Sequence, residues 1–449
     1  MIIENVRTVI WGKGGGITAN SGVYIADGKI KELGKSAELI AKYPEAERLD
    51  GRGQLLMPGN ICAHTHFYGA FARGLGIPGE PPKDFPQILE KLWWPLDKAL
   101  DEDSIRASTL VHLVSAIRNG TTSLIDHHAS PNFIDGSLDV ISQAVQGSGL
   151  RAVLCYEVSD RDGEDKSKAG ISENLRFLKQ NQGGNNGLVS AAFGLHASLS
   201  LEDETLEDVA AAIPDNAGFH IHVAEHEADQ NDSLERSKMR VTQRLNNFGI
   251  LRPESILAHA VHVDESEIEL IANSQSWVSH QPRSNMNNGV GAADVEGLLN
   301  KGVRLCLGND GFTQDMWAEW KAAYLMHKLW HRDPRKMNGM DIAAMAIENN
   351  AALISSFFDN QIIGEIKMGA AADLILVDYQ QFTELNIDNL AWHILFGFQE
   401  SMVTMTMVSG QVLMKDRELL TLDEERISIE ALKIAPQVWA RYEANVING

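Results

Sequence analysis

The segment Gln54-Leu55-Leu56-Met57-Pro58-Gly59-Asn60-Ile61-Cys62-Ala63-His64-Thr65-His66-Phe67 decides how this chain folds. Its apolar run, residues 55–62, predicts a buried β-strand, and two histidines follow it directly. Residues two apart in a strand point to the same side, so His64 and His66 present two imidazoles from one strand end. Neutral imidazole is a good ligand for a divalent metal such as zinc. The alternative is that two polar residues simply end a strand.

The overall composition limits the function. The chain has 449 residues and a formal net charge of −22, which argues against binding to nucleic acid or to anionic membranes. Its three cysteines are widely separated in apolar runs, so no disulfide framework is indicated and a reducing compartment is expected. The sequence shows neither a membrane-spanning run nor a signal peptide, which predicts a cytoplasmic protein.

The middle of the chain, residues 58–363, alternates short apolar runs with longer amphipathic segments. Short buried strands that alternate with helices indicate a parallel sheet, and eight such units predict an α/β fold of the (β/α)₈ TIM barrel type. The eight runs are residues 55–62, 121–125, 151–156, 188–195, 218–223, 255–258, 276–279 and 303–307.

The two ends of the chain are rich in β-strand patterns. Residues 1–57 contain alternating segments and the hairpin signal Asp27-Gly28. Residues 364–449 contain further strands, at 372–377, 402–408 and 411–414, followed by a helical segment at 427–444. We expect both ends to form one small β-sandwich beside the barrel.

Titratable residues follow most of the predicted barrel strands. In a TIM barrel the carboxyl ends of the strands carry the active site, so these side chains are expected to converge. It is improbable that all of these titratable residues follow strand ends by chance. Any single one of them could still be a buried structural residue. They are His64, His66, His196, His222, Glu225, His259, His280 and Asp310.

These residue types favour hydrolysis assisted by a metal ion. Three imidazoles and one carboxylate form an open catalytic metal site, and a bound divalent ion lowers the pKa of its water to about 7. The resulting hydroxide would attack an electron-poor carbon and break a C–N bond. Asp310 can accept the proton of the water, Glu225 can pass a proton to the substrate, and His259 can hold the hydroxide or polarise the attacked group.

The motifs resemble the amidohydrolase superfamily, in its cytosine deaminase/chlorohydrolase branch, over essentially the whole chain. The resemblance is carried by Met57-Pro58-Gly59, His64-Thr65-His66, Asn119-Gly120-Thr121-Thr122, His222-Val223-Ala224-Glu225, Ser279-His280-Gln281-Pro282 and Gly308-Asn309-Asp310-Gly311. The sequence is also similar to the aminohydrolase subgroup called SsnA, through residues 92–102, Ile125-Asp126-His127-His128-Ala129-Ser130-Pro131 and Arg283-Ser284-Asn285-Met286-Asn287-Asn288.

The resemblance implies a role for each titratable residue of these motifs. Glu225 is the expected acid/base, and His259 is the second catalytic histidine. His196 and His280 match positions that face the substrate or support the site. The expected metal ligands are His64, His66, His222 and Asp310.

One metal ion is expected, because relatives with two metals carry a bridging lysine after strand four and residues 188–201 contain none. Zinc is the preferred metal and iron is the alternative. His220 is a rival ligand to His222, because the two are two residues apart and can face the same way.

The connection formed by residues 68–100 is long, and long connections in compact domains are usually functional. We expect it to fold over the site and to supply an aromatic wall that includes Trp93. Arg73 and Arg283 are the cations predicted to contact an anionic or carbonyl-rich substrate.

The leading hypothesis is hydrolytic deamination of an amino-substituted nitrogen heterocycle, purine-type or related, in purine catabolism. The first alternative keeps the site and changes the bond, through ring opening of a cyclic amide or imidazolone, or through dehalogenation. An alternative of another class is a non-catalytic protein that binds a metal or ligand. The expected partner is a small molecule, and the resemblance favours a homodimer or a larger homo-oligomer.

Overall fold

The computed structural model describes residues 1–12, 14–184 and 187–448, and its central feature is the predicted barrel of parallel strands. Neighbouring strands pair in parallel register, and helices connect them, which confirms the α/β fold class. The barrel strands are Asn60–Thr65, Thr121–His128, Arg151–Tyr156, Val189–Ala191 with Phe193–Ala197, Phe219–Val223, Ile256–His259, Trp277–His280 and Arg304–Leu307.

The barrel strands form two sheets, of four and five strands, that meet at two seams. At one seam the Val158 amide donates to the Gly194 carbonyl (3.2 Å), and the His196 amide donates to the Val158 carbonyl (2.9 Å). At the other seam the Asp310 amide donates to the His64 carbonyl at 3.1 Å. At each seam a residue just past one strand end bonds to residues inside the neighbouring strand. Residues of the predicted site, His64, His196 and Asp310, therefore also join the two halves of the barrel.

The first predicted strand, residues 55–62, is divided between two layers, which corrects the sequence interpretation. Leu55–Pro58 pairs with Ile2–Ile10 and Leu374–Val377 in the sheet formed by the chain ends, and the barrel strand begins at Asn60. Gly59 permits this change, because a Cβ atom there would lie 2.2 Å from Cγ2 of Thr122. One continuous apolar run therefore contributes strands to two different sheets.

Both chain ends contribute to one sheet of nine strands beside the barrel. A shared apolar cluster includes Ile3 and Val23 from the first end and Met405 and Met407 from the other. The strands are Ile2–Ile10, Gly16–Ala26, Lys29–Lys35, Arg48–Asp50, Leu55–Pro58, Leu374–Val377, Val403–Val408, Gln411–Lys415 and Glu418–Leu419.

Helices cover the outside of the barrel and connect its strands. None of the helices in the three described ranges is long and apolar enough to cross a membrane. The α-helices between the first barrel strand and residue 356 are Phe85–Ile88, Trp94–Asp97, Glu102–Arg118, Ser137–Ser148, Glu164–Asn181, Asp203–Ala212, Glu227–Ser237, Val241–Asn247, Glu265–Ser274, Pro282–Asn288, Val295–Asn300, Met316–His331, Gly339–Ala343 and Asn350–Ser356. Ser36–Lys42, Leu390–Gly397 and Glu424–Asn448 lie at the two chain ends.

The final helix, Glu424–Asn448, holds the long connection that follows the first barrel strand. The Trp439 indole donates to the Phe71 carbonyl (2.9 Å), and the Tyr442 hydroxyl donates to the Lys91 carbonyl (2.6 Å). The connection contains short helical turns, and its backbone carbonyls find partners on a helix more than 350 residues away. The end of the chain thus fixes a segment that covers the barrel mouth.

A buried ion pair joins the barrel to the nine-stranded sheet. Arg151 begins the third barrel strand, and its Nε lies 3.0 Å from Oδ2 of Asp373, with both side chains fully buried. The Arg151 Nη2 atom also donates to Asp373 Oδ1 (3.2 Å) and to the Ser409 hydroxyl (3.0 Å). The two charges satisfy each other where water cannot reach them.

Arg151→Met should lower the free energy of unfolding by about 3 kcal/mol or more, because it leaves the Asp373 carboxylate buried without its partner. Urea denaturation followed by circular dichroism measures this loss. The double variant Arg151→Met/Asp373→Leu should recover much of the loss, because it removes both charges. A single variant as stable as the wild type would contradict this view of the pair.

Candidate active site

The four predicted metal ligands converge at the carboxyl ends of the barrel strands. His64 and His66 come from the end of Asn60–Thr65, His222 from Phe219–Val223, and Asp310 from the loop after Arg304–Leu307. Nε2 of His66 lies 3.0 Å from Oδ1 of Asp310, and Nε2 of His64 lies 3.5 Å from the same oxygen. His222 completes the group, with its Nε2 atom 3.2 Å from Nε2 of His66.

The hydrogen bonds around these imidazoles fit a bound cation. Nδ1 of His66 donates to the His127 carbonyl (2.6 Å), and Nδ1 of His222 donates to the His196 carbonyl (2.9 Å). A neutral imidazole carries one N–H, so this network leaves Nε2 of both rings as acceptors in the neutral form that a metal ligand must have. Nε2 of His64 is buried without a hydrogen-bond partner. Acceptor nitrogens that converge on one carboxylate are the donor set of a divalent metal site.

The backbone around Asp310 is held in an unusual conformation. Its φ of +59° lies in the left-handed region, which costs free energy for a residue other than glycine. Bonds to the first barrel strand offset this cost, because the Thr65 hydroxyl (2.8 Å) and the His66 amide (3.2 Å) both donate to the Asp310 carbonyl. Gly308 allows the loop to approach the first barrel strand closely, since a Cβ atom there would lie 2.8 Å from the backbone nitrogen of His64.

Glu225 and His259 lie next to this cluster. Nε2 of His259 is 3.4 Å from Oε2 of Glu225, and Nδ1 of His259 hydrogen-bonds with Oδ1 of Asn285 at 2.9 Å. Burial, with a smaller contribution from the charge of Asp310, raises the pKa of Glu225 to about 7 against the opposing effect of His259. A carboxyl group with a pKa near neutrality can both give and take a proton, which suits an acid/base.

A chain of polar side chains connects the two carboxylates of the site. Nδ2 of Asn288 donates to Oε1 of Glu225 (3.3 Å) and to the Ser284 hydroxyl (3.2 Å). The Ser284 hydroxyl in turn donates to Oδ2 of Asp310. Burial by itself would raise the pKa of Asp310, but its contacts with His64 and His66 hold that pKa well below its usual range. The two carboxylates are therefore linked but differ strongly in acidity.

A cavity opens over the cluster, and its outer wall is aromatic. The connection predicted to cover the site supplies that wall, and the strand ends supply the polar floor. The structure places two predicted substrate contacts, Trp93 and His196, in this lining. The residues from the connection are Tyr68, Phe85, Leu89, Trp93, Trp94 and Asp97.

The structure places three other predicted substrate contacts away from the cavity. Arg73 is exposed in a groove beside the final helix. The Arg283 guanidinium pairs with the buried Glu319 and donates to the Thr313 carbonyl (2.8 Å). His280 is fully buried, with its Nε2 atom 3.1 Å from Nε2 of His327. Arg283 is held by partners outside the cavity, and Arg73 lies in a different groove. The residues next to them in the sequence indicate neither outcome.

Sequence reasoning missed Glu157, which directly follows the third barrel strand and lines the cavity. The histidines were predicted because titratable residues just past a barrel strand are expected at the site. The same criterion, applied to Arg151–Tyr156, identifies Glu157 as well. Burial raises the pKa of Glu157 to about 7, despite the opposing charges of His66 and Arg161. Asp97, which also lines the cavity, had no such signal because it lies within the long connection.

His220, the rival ligand, instead contacts Nδ1 of His64 with its Nε2 atom at 2.8 Å.

The sequence model of the amidohydrolase family matches residues 55–413. The chain belongs to the amidohydrolase family. It is a hydrolase that acts on carbon–nitrogen bonds other than peptide bonds.

Relatives with assigned activities match nearly the whole chain. A 5′-deoxyadenosine deaminase from Methanosarcina mazei is 31% identical over 98% of this chain and 99% of its own length. A 5-methylthioadenosine/S-adenosylhomocysteine deaminase from Pelotomaculum thermopropionicum is 30% identical, over 94% of each chain. The crystal structure of an adenosine deaminase from Xanthomonas campestris with bound zinc has a TM-score of 0.85, with 21% identity and 98% of each chain covered. That structural likeness supports the fold.

His222→Gln should weaken metal binding by about 100-fold or more, because it removes one acceptor nitrogen from the cluster. Metal analysis of purified protein, followed by titration of the metal-free form, measures this change. His331→Gln is the matched control, since His331 lies exposed at the end of Met316–His331. Equal metal affinity in the two variants would exclude His222 as a ligand.

Proposed function

We propose that this protein is a metal-dependent deaminase that converts the amino group of an aminopurine to a carbonyl with release of ammonia. The observation that carries the proposal is the position of Glu225, a buried carboxyl beside His259 at the edge of the histidine cluster. A binding protein needs no acid/base at that place. The names of the two relatives support an adenine-type ring, since both are deaminases of adenosine derivatives.

The metal would be held by the four residues His64, His66, His222 and Asp310, and zinc is the metal we propose because imidazole-rich sites suit it. When bound, a divalent ion lowers the pKa of a coordinated water to about 7 and so makes a nucleophile available at neutral pH.

The protein groups then move the protons of the reaction. Glu225 gives a proton to the ring nitrogen next to the amino-bearing carbon, which makes that carbon more electron-poor. Asp310 takes a proton from the attacking water and passes it to the departing amino group, which leaves as ammonia. The Glu225 carboxylate then takes the proton of the hydroxyl added to the carbon, so the carbonyl forms and the Glu225 acid is restored. The Asn288–Ser284 chain holds both carboxylates in place during these transfers. Water and the C–NH₂ bond are consumed, and a carbonyl and ammonia are formed.

The aromatic wall would bind and shield the ring. Tyr68 and Trp93 lie edge to face, with ring centroids 6.1 Å apart, and both line the cavity. Flat aromatic side chains offer large contact area to a heterocycle and exclude water from the reacting atoms. This division of roles, with an apolar wall over a polar floor, favours a planar substrate whose amino group points inward. Such an activity would belong to purine catabolism.

Ammonia release by metal-quantified protein tests the reaction against adenine, adenine nucleosides, diaminopurines, oxidised purines and aminopyrimidines. Turnover of one or more aminopurines supports the proposal. A carbon–nitrogen ring opening without ammonia, or silence across the panel with the metal present, would overturn it.

Glu225→Gln should retain the metal but lower kcat by about 100-fold to 10,000-fold, because the amide cannot transfer the proton. Steady-state ammonia release together with metal analysis measures both properties. Glu227→Gln is the matched control, since Glu227 lies two residues on and is exposed. A Glu225→Gln variant with wild-type turnover would remove Glu225 from the mechanism.

A further inference from the structure

Glu157 lines the cavity close to the proposed metal ligands, and the proposed mechanism does not use its carboxylate. Glu157 offers an oxygen within 4.8 Å of ring nitrogens of both His196 and His222. Its side chain is only 4% exposed, and its backbone amide donates to the His128 carbonyl at 2.7 Å, which fixes the position of the residue. A ring seated over the cluster would therefore lie against this carboxylate.

The carboxylate of Glu157 lacks a hydrogen-bond partner among the described residues. Its Oε2 atom is buried and unbonded, and the nearest ring nitrogen, Nδ1 of His127, is 3.6 Å away. Its Oε1 atom is 3.5 Å from Nε2 of His196. These separations exceed the normal length of a hydrogen bond. A buried acceptor that stays unpaired costs free energy, so a ligand that supplies a donor would be stabilised here.

The tautomer of His196 also favours a ligand that supplies a hydrogen-bond donor. The Ser200 hydroxyl donates to the Ala197 carbonyl (3.1 Å), so it accepts from Nδ1 of His196 at 2.5 Å. This network assigns the single proton of the neutral ring to Nδ1 and leaves Nε2 as an acceptor. Glu157 and His196 thus present two acceptors to one part of the cavity.

We propose, on the basis of the proposed deaminase function, that Glu157 and His196 select a purine whose ring carries its own N–H donor. Such rings are a free base with hydrogen on the imidazole nitrogen, or an oxidised base with a lactam N–H. An adenine ring that carries a sugar presents only acceptors along its ring edges apart from the amino group that reacts. The sugar lies at the far end of the ring from the amino carbon, so its hydroxyls would reach the outer wall of the cavity.

The test compares three substrates in ammonia-release kinetics: 9-methyladenine, which has no ring N–H, adenine, and 8-oxoadenine. The value of kcat/KM for the better of the two N–H bases should exceed that for 9-methyladenine by about 100-fold or more, because the latter leaves both acceptors unpaired. In Glu157→Gln this ratio should fall below about 10-fold, since the amide can offer a donor of its own.

Two further measurements keep the outcome unambiguous. The metal content of Glu157→Gln should equal that of the wild type, and its loss would show that Glu157 is a ligand and overturn the proposal. Glu173→Gln, a buried glutamate on Glu164–Asn181 away from the cavity, should keep the wild-type preference. Equal turnover of all three bases would overturn this inference alone. Silence on every aminopurine would overturn the deaminase function and this inference with it.

Discussion

The constraint on which this structure depends is the close approach of two imidazole nitrogens. In the neutral rings that a metal ion requires, these nitrogens face each other without a proton between them. Nε2 of His66 and Nε2 of His222 are 3.2 Å apart, and each ring has its N–H committed to a backbone carbonyl on its other side. Two acceptors at this distance repel each other unless a cation lies beside them. The first and fifth barrel strands must therefore hold these rings together, and the carboxylate of Asp310 completes the donor set.

The fold supplies the rigidity that this arrangement needs. The backbones of His64, His66 and Asp310 connect the first and last barrel strands, so the hydrogen bonds between these strands also position the proposed metal ligands. Left-handed backbone at Asp310 and at His259, with φ of +59° and +74°, costs free energy at the places where the chemistry is expected. Tertiary bonds around these residues offset that cost.

Remote parts of the chain shape the cavity. The final helix binds carbonyls of the connection that carries the aromatic wall, and the nine-stranded sheet is joined to the barrel by the Arg151–Asp373 pair. Buried histidines and carboxyl groups line this cavity. In the proposed function, selectivity for a substrate depends on which acceptors and donors of the cavity remain unpaired, and Oε2 of Glu157 is one such atom.

The sequence by itself determined the alternation of strands and helices, the strand ends that carry His64, His66, His222 and Asp310, and the acid/base candidate Glu225. These features are local, because strand periodicity and position after a strand are encoded in neighbouring residues. Only the tertiary structure decided that residues 55–62 divide at Gly59, that Arg73 and Arg283 lie away from the cavity, and that Ser284 and Asn288 link the two carboxylates. Those outcomes depend on partners that are distant in sequence, and only the folded chain brings such partners within contact distance.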